Sequence, residues 1–275
     1  MALGIIVCGV GGRMGGAVVR AVKDSAGVEL VGAIDKPGST RVGKDAGEIS
    51  SAGRLGVPVS DKIESLLKPN TVIVDFTNPE ASLGFLKASS RTVTPIVIAT
   101  TGFNSRQLAE VRKLSRRTPT LLSANTSLGV NVLVSLLGKA AKMLGDDYDV
   151  EIIEAHHRFK KDAPSGTALA LGRSVANVLG RDLDKVAING RKGIVGERSK
   201  KEIALLSVRA GDIVGEHTVI FGGIGERLEF IHRAHSRDTF ARGAIRAAQW
   251  LAKKKPGLYG MQDVLELSNL KSRTD

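Results

Sequence analysis

Short apolar runs rich in β-branched residues recur along the first half of the chain, each bounded by glycine or small polar residues. Leu3–Val10 is the first, and it runs into Gly9-Val10-Gly11-Gly12-Arg13-Met14-Gly15-Gly16. Ala17–Lys23 continues with helix-compatible residues and apolar Val18, Val19 and Val22, and Val28–Ile34 is a second buried run ending at Asp35. Strands apolar on both faces and separated by helix-length segments favour a parallel sheet with crossover helices. The unit repeats. Thr71–Phe76 is followed by Asn78-Pro79-Glu80 and a helix through Ala88, Thr94–Ala99 by a helix over Ser105–Ser115, and Thr120–Ser123 closes the series. The spacing predicts an α/β, doubly wound parallel sheet up to about residue 126.

The pattern then changes. Asn131–Leu144 reads as a helix and Asp149–Ala155 as a strand. A helix over Thr167–Leu179 is introduced by Ala163-Pro164-Ser165-Gly166, where proline suits the first turn. Ile203–Val208, His217–Phe221 and Leu228–Arg233 are three strand-like runs with no helix between them, so a second, α+β domain with an antiparallel or mixed sheet is expected. Asp238–Lys253 reads as a last helix, and Ser272–Asp275 are expected to fray.

Composition narrows the class. With 42% hydrophobic and 25% charged residues the chain is an ordinary globular sequence, which argues against disorder, collagen and coiled coil. The apolar stretch Ala2–Gly12, taken as the longest, falls short of the ~20 residues of a membrane span and lacks a basic leader. The single cysteine, Cys8, offers neither an intrachain disulfide nor a metal cluster. A cytoplasmic protein with no membrane partner is expected. The net charge of +12 is scattered over short clusters at Arg112–Arg117, Arg198–Lys201 and Lys253–Lys255, with no aromatic residues interleaved as a base-stacking surface requires. A solvated basic surface is expected, not a nucleic-acid interface. A regulator binding NAD(H) and DNA would need a helix-turn-helix stretch, and none is visible.

Gly9, Gly12 and Gly15 give the spacing G-x-x-G-x-x-G after the first strand. Glycines there let the turn close and let amides approach a pyrophosphate, while the helix N-terminus adds its dipole. Asp35 ends the second strand twenty positions beyond Gly15, where an acidic residue accepts from an adenosine ribose hydroxyl. Lys36 beside it can hold a 2′-phosphate, so NADH and NADPH both stay open. Thr77-Asn78-Pro79, Ala99-Thr100-Thr101-Gly102 and Ser123-Ala124-Asn125-Thr126 lie at strand ends, where such sheets bind ligands. Their small polar residues suit nicotinamide and ribose contacts, or helix caps.

Glu151–Thr167 concentrates the chemistry of the second half. His156, His157, Arg158 and Lys160 are four cationic donors within five positions. Neighbours in a strand face opposite ways, so both histidines serve one site only where the strand ends. No third ligand at metal spacing accompanies them, so no metal is expected. Ser165, Gly166 and Thr167 present amides at a helix start, an anion receptor beside those cations. Cations and amides together suit a small substrate with carboxylates and a protonatable nitrogen. Arg209, Asp212 and Glu216 lie in Val208–Thr218, read as a structural hairpin, and His232 and His235 have ordinary strand or turn roles.

The segment EAHHRFKKDAPSGTA (Glu154–Ala168) closely resembles the signature of the dihydrodipicolinate reductases. These are the 4-hydroxy-tetrahydrodipicolinate reductases of the diaminopimelate route to lysine. GVGGRMG (Gly9–Gly15), DFTNPE (Asp75–Glu80), TTGF (Thr100–Phe103), SLGVN (Ser127–Asn131) and VRAGDIVGEHTV (Val208–Val219) are similar to further blocks of that family, in the same order.

The resemblance implies a Rossmann domain of residues 1–126 and 237–275, and a substrate-binding and tetramerisation domain of residues 127–236. It implies an oxidoreductase that reduces a small cyclic dicarboxylate imine with NADH or NADPH, as a homotetramer. His156 and Lys160 match the proposed acid/base residues; His157, Lys160, Gly166 and Thr167 match substrate-binding positions. Gly9, Val10, Gly11, Gly12, Arg13 and Met14 match the cofactor turn, with Asp35 and Lys36 at the ribose. Ala99, Thr100 and Thr101 match further cofactor contacts, as do Ser123, Ala124, Asn125 and Thr126. Three positions depart from the pattern: Ala99 where glycine is common, Phe159 where a polar residue is frequent, and Thr126 where a bulky residue often lies near the nicotinamide. The last bears on cofactor preference and product inhibition. Another NAD(P)-dependent imine or amino-acid dehydrogenase is the alternative; it gives no reason for the His-His-Arg…Lys…Pro-Ser-Gly-Thr block.

Overall fold

In the computed structural model, which describes residues 1–266, the chain alternates strands and helices over its first 122 residues. The series is β1 (Leu3–Cys8), α1 (Arg13–Lys23), β2 (Val28–Ile34), α2 (Ala46–Ile49), β3 (Val59–Ser60), β4 (Thr71–Asp75), α3 (Pro79–Thr92), β5 (Ile96–Ile98), α4 (Ser105–Ser115) and β6 (Pro119–Leu122). Next come α5 (Leu128–Leu144), β7 (Asp149–His156), α6 (Gly166–Val178), α7 (Leu183–Val186), β8 (Ala187–Ile188), β9 (Ile203–Arg209), β10 (Gly215–Gly222) and β11 (Arg227–Ala234). The described residues end with α8 (Asp238–Leu251), β12 (Gly257–Tyr259) and α9 (Met261–Val264). Two compact units result, one of Met1–Leu128 with the chain from Arg237 on, the other of Gly129–Ser236. Ser272–Asp275, expected to fray, lie outside the described residues.

The first unit holds a seven-stranded sheet in the order β12-β6-β5-β4-β1-β2-β3, with every pairing parallel. Its central strands β1, β4 and β5 are buried along nearly their whole length because both faces are covered. Ile5 and Val7 of β1 pack with Val18, Val19 and Val22 of α1 and with Ala244, Ala248 and Leu251 of α8. Ile6 and Cys8 face the other way, with Leu86 of α3 and Val111 of α4. Local signals fix the helix starts. The Asn78 side chain accepts from Ala81 N with Pro79 in the first helical position, and Asn104 and Gln107 form a capping box.

The helix expected from Ala17 starts at Arg13, inside the glycine motif, with extended Gly12 as its N-cap. The edge strands β3 and β12 and the one-turn α2 and α9 have too few residues to show a periodicity, and the sequence reading omits them.

The second unit carries a five-stranded mixed sheet, β11-β10-β7-β9-β8. β10 is antiparallel to β7 and β11, while β9 runs parallel to β7 and β8. Val208–Thr218 is therefore not a hairpin, because β7 lies between β9 and β10 and the segment connects strands on either side of it. One sheet face is buried under α5 and α6: Val150, Ile152, Leu205, Val219 and Phe221 pack with Leu137 and Leu171. The helical run Leu128–Asp147 is, by length and composition alone, apolar enough to cross a membrane, so Ala2–Gly12 is not the longest apolar segment. Leu133, Leu137 and Ala141 on that run are buried in the core of this unit. Pro164 stands one residue before the N-cap Ser165, outside the first turn of α6.

Candidate active site

In the first unit the glycine turn leaves β1 with Gly9 at φ +75, a conformation that favours glycine. Gly12 N donates to Gly9 O at 2.9 Å and closes the turn. A Cβ on Gly15 would lie 2.1 Å from Gly9 O, so backbone is packed directly on backbone there. Gly11, Gly12 and Arg13 reach the surface, whereas Val10 is buried in the core. An open helix N-terminus with a backbone-lined cradle fits a dinucleotide pyrophosphate.

Asp35 follows β2. Its carboxylate accepts from Lys36 N at 2.9 Å, Ser39 Oγ at 2.8 Å and Arg41 Nη1 at 3.4 Å. Burial pushes this acid up, but those hydrogen bonds and the Arg41 charge outweigh it and hold the pKa below the usual value. A Cβ on Gly11 would meet the Arg41 guanidinium and Asp35 Oδ2, each at 2.8 Å. Asp35, Arg41 and the glycine turn thus share one place, and sequence reasoning missed Ser39 and Arg41.

The strand-end loops are tied together by Asp75 at the end of β4, which is fully buried. It accepts from Thr77 N at 2.9 Å and Thr77 Oγ1 at 2.6 Å, and from the hydroxyls of Ser82 and Thr100. Burial raises its pKa even against those bonds. The Thr100 hydroxyl is thus engaged inside the fold, with Ala99 also buried, while Thr101 is exposed. Ser123 Oγ donates to Asn125 O, and Ala124 is exposed. Thr126 is buried, and its hydroxyl donates to Phe240 O at 2.7 Å.

In the second unit the strand ends at His156, which lies on the buried face, and His157 turns away, its ring 6.3 Å from Phe159. Register brings partners to His156. Arg209 sits opposite it on β9, and His217 on β10 lies opposite Glu154. The Glu154 carboxylate receives His156 Nδ1 at 2.6 Å, Ser165 N at 3.0 Å, and Arg209 Nη1 and Nη2 at 2.8 Å each. Ser165 Oγ contacts His217 Nε2 at 3.1 Å and accepts from Ala168 N, capping α6. The His156 and His217 rings stand edge to face at 5.3 Å. Lys160 Nζ donates to both oxygens of Asp162 at 2.8 Å.

His156, Lys160 and Ser165 are therefore gathered with Gly166 and Thr167, the first residues of α6. Among the described residues His157 makes no hydrogen bond to this cluster, and its Nδ1 is buried without a hydrogen-bond partner. Glu154, Arg209 and His217 were not assigned a site role from sequence, although Glu154 is two residues from His156 on the same strand face. Among the described residues no group of three metal-ligating side chains is found.

This cluster has a pH signature. Burial lowers His217 to about 3, with the neighbouring His156 adding to the effect. Burial also lowers His156, against the pull of Glu154, and lowers His232. Glu154 is raised by burial but brought to about 2 by the Arg209 and His156 hydrogen bonds. Neutral native histidines oppose protonation that the unfolded chain accepts below 6.5, so stability falls as pH drops from 6.5 toward about 3. The Glu154 contribution is complete above 4.5 and is lost as pH falls through about 2. Melting temperature is expected to decline already between about pH 6.5 and 4.5. His217→Gln should flatten that upper portion; an unchanged slope would remove His217 as its source.

Two family models match the chain: dihydrodipicolinate reductase, N-terminus, over residues 3–126, and dihydrodipicolinate reductase, C-terminus, over residues 129–265. The 4-hydroxy-tetrahydrodipicolinate reductase of Syntrophus aciditrophicus (strain SB) is 52% identical over 94% of this chain and 97% of its own length. That of Alkalilimnicola ehrlichii is 53% identical over 96% of this chain and 98% of its own. A dipicolinate-bound dihydrodipicolinate reductase from Paenisporosarcina sp. TG-14 shares the fold, with a TM-score of 0.72 at 23% identity, covering 96% of this chain and 99% of that one. The amine dehydrogenase of Mycobacterium smegmatis shares it more loosely, with a TM-score of 0.58 at 17% identity over 94% of each chain. Matched over both units and half-identical to its curated relatives along nearly its whole length, the chain belongs to the dihydrodipicolinate reductase family.

Proposed function

We propose that the protein reduces 4-hydroxy-tetrahydrodipicolinate to tetrahydrodipicolinate with NADH or NADPH, in the diaminopimelate route to lysine, as a cytoplasmic homotetramer. The observation that carries this reading is the cluster at the end of β7, where an imidazole, an ammonium and a helix N-terminus converge. After loss of water the ring is a conjugated imine with two carboxylates. The nicotinamide, when bound, supplies a hydride. The residues supply the rest: the first turn of α6 and His157 receive carboxylate, and Lys160 with His156 delivers the proton that quenches charge on the ring. Gly9–Met14 hold the pyrophosphate and Asp35 the adenosine ribose, with backbone atoms of Ala99–Thr101 and Ser123–Thr126 near the nicotinamide.

Assembly is supported by the sheet face opposite α5 and α6. It carries Ile153, Leu206 and Ile220 together with exposed Val208 and Ile231, an apolar surface suited to contact between subunits.

The test is a coupled assay. Dihydrodipicolinate synthase, pyruvate and aspartate semialdehyde generate the substrate in place, and nicotinamide absorbance follows turnover. Synthase-dependent oxidation is expected with both cofactors; none with either, from folded protein that still binds NADH, overturns the reading. The same assay tests the ribose site. Arg41, beside Asp35, and Lys36 would hold a 2′-phosphate, whereas Asp35 would serve an unphosphorylated ribose. Losing one charge-assisted contact costs on the order of 1.5–3 kcal/mol, so Arg41→Ala should raise KM for NADPH by about tenfold or more. KM for NADH should change by no more than about threefold. Equal changes would place Arg41 outside the 2′-phosphate subsite.

A further inference from the structure

Glu154 has polar contacts of two kinds, some to β9 and some to groups of the candidate site. The residue is fully buried on β7, and both oxygens are engaged. Oε2 receives His156 Nδ1 at 2.6 Å and Arg209 Nη1 at 2.8 Å; Oε1 receives Ser165 N at 3.0 Å and Arg209 Nη2 at 2.8 Å. A buried carboxylate needs a cation, and the Arg209 fork supplies it. Arg209 is fixed in turn by donating to Asp162 O at 2.6 Å and Val208 O at 2.7 Å.

An ion pair that merely joined β7 to β9 would need only the two guanidinium bonds. Ser207, opposite Glu154 on β9, adds a further tie between the strands, but two contacts go elsewhere, one to an imidazole and one to the amide that starts α6. An ionised carboxylate only accepts, so the proton between Glu154 and His156 sits on Nδ1. Nε2 is then the open nitrogen. Beside it lies Gly215, where a Cβ would be 3.1 Å away, so a larger residue would crowd that nitrogen. His217, edge to face with His156 and tied to Ser165 Oγ, blocks rotation of the ring.

We propose that Glu154 is a positioning residue for the reaction: its carboxylate fixes His156 as the Nδ1–H tautomer with Nε2 turned to exchange protons, and holds the Ser165 amide so that the α6 turn keeps register with that imidazole. This rests on the reading of His156 as a proton-handling group in the reduction. Arg209 keeps Glu154 ionised, and Lys160, Arg209 and His217 are the charged or titratable groups that act on His156 besides Glu154.

Neutron diffraction from deuterium-exchanged crystals of the full-length wild-type protein near neutral pH reads the tautomer directly. Deuterium on His156 Nδ1, none on Glu154, is the expected result. Deuterium on Nε2 alone, or a protonated Glu154, overturns the proposal whether or not any variant folds. The kinetic test uses Glu154→Gln and Glu154→Asp in the coupled assay. Partners that orient a metal-bound imidazole are typically worth about 10–100-fold, and by the same logic kcat of Glu154→Gln should fall by about that factor. Its Kd for NADH should stay within about twofold, and Glu154→Asp, which keeps a carboxylate, should recover part of the loss. A folded Glu154→Gln with wild-type kcat overturns the proposal. If the wild-type protein does not reduce the ring at all, the functional reading fails, while the neutron map still reports the tautomer.

Discussion

His156→Gln and Lys160→Cys are each expected to lower kcat by roughly 10²–10⁴-fold, the usual worth of general acid–base assistance. The Kd for NADH should stay within about threefold, because the glycine turn and Asp35 belong to the other unit. In the proposed mechanism the two substitutions act on different parts of one proton path. Lys160 sits in the loop after β7 with its ammonium bound to Asp162, and its charge acts on both His156 and His217. His156 is anchored from behind by Glu154 at Nδ1, which leaves Nε2 as the atom proposed to exchange protons. Groups that act as a unit are not additive, so the double variant should fall little below the worse single variant. A double variant with near wild-type turnover would remove both residues from the chemistry. A drop confined to substrate KM would make them carboxylate ligands.

Much of this arrangement is legible in the sequence because strands buried on both faces announce themselves. Val28–Ile34 and Ser105–Ser115 fall where the pattern places them, since β-branched runs and an Asn-x-x-Gln cap are local signals. β3 and β12 are not legible, because two- and three-residue strands exist only by pairing with a sheet already formed. The reading of Val208–Thr218 as a hairpin failed for a related reason: a short connection between strand-like runs looks the same whether or not a third strand lies between them. In the candidate site, the cations after β7 are visible as a cluster, but the carboxylate that organises them is not. Glu154 acquires its meaning from Arg209, fifty-five residues away, through the β7–β9 register. Arg41 was missed for want of the same long-range information, since nothing local says that the loop after Asp35 folds back onto the glycine turn.

Two neighbouring glycines should respond with opposite sign. A Cβ on Gly15 would stand 2.1 Å from Gly9 O, 2.7 Å from Gly9 C and 2.8 Å from Val10 Cα, all backbone, so the turn or α1 must move. Overpacking of this kind costs typically about 1–3 kcal/mol, and here it also displaces the amides proposed to hold the pyrophosphate. Gly15→Ala is therefore expected to lower the melting temperature and to raise the Kd for NADH and NADPH alike by about tenfold or more. A Cβ on Gly16 meets nothing closer than Arg20 Nη1 at 3.6 Å, ordinary contact distance. Helix interiors favour alanine over glycine by roughly 0.8–1.0 kcal/mol, so Gly16→Ala should leave cofactor affinity unchanged and hold or raise the melting temperature. Calorimetry and cofactor titration on the pair decide the matter. Wild-type affinity in Gly15→Ala would mean that the close approach of α1 to the turn is dispensable and that the glycines serve chain flexibility alone. Equal losses at both positions would mean that the first turn of α1, not the Gly9–Gly15 contact, sets the cofactor site.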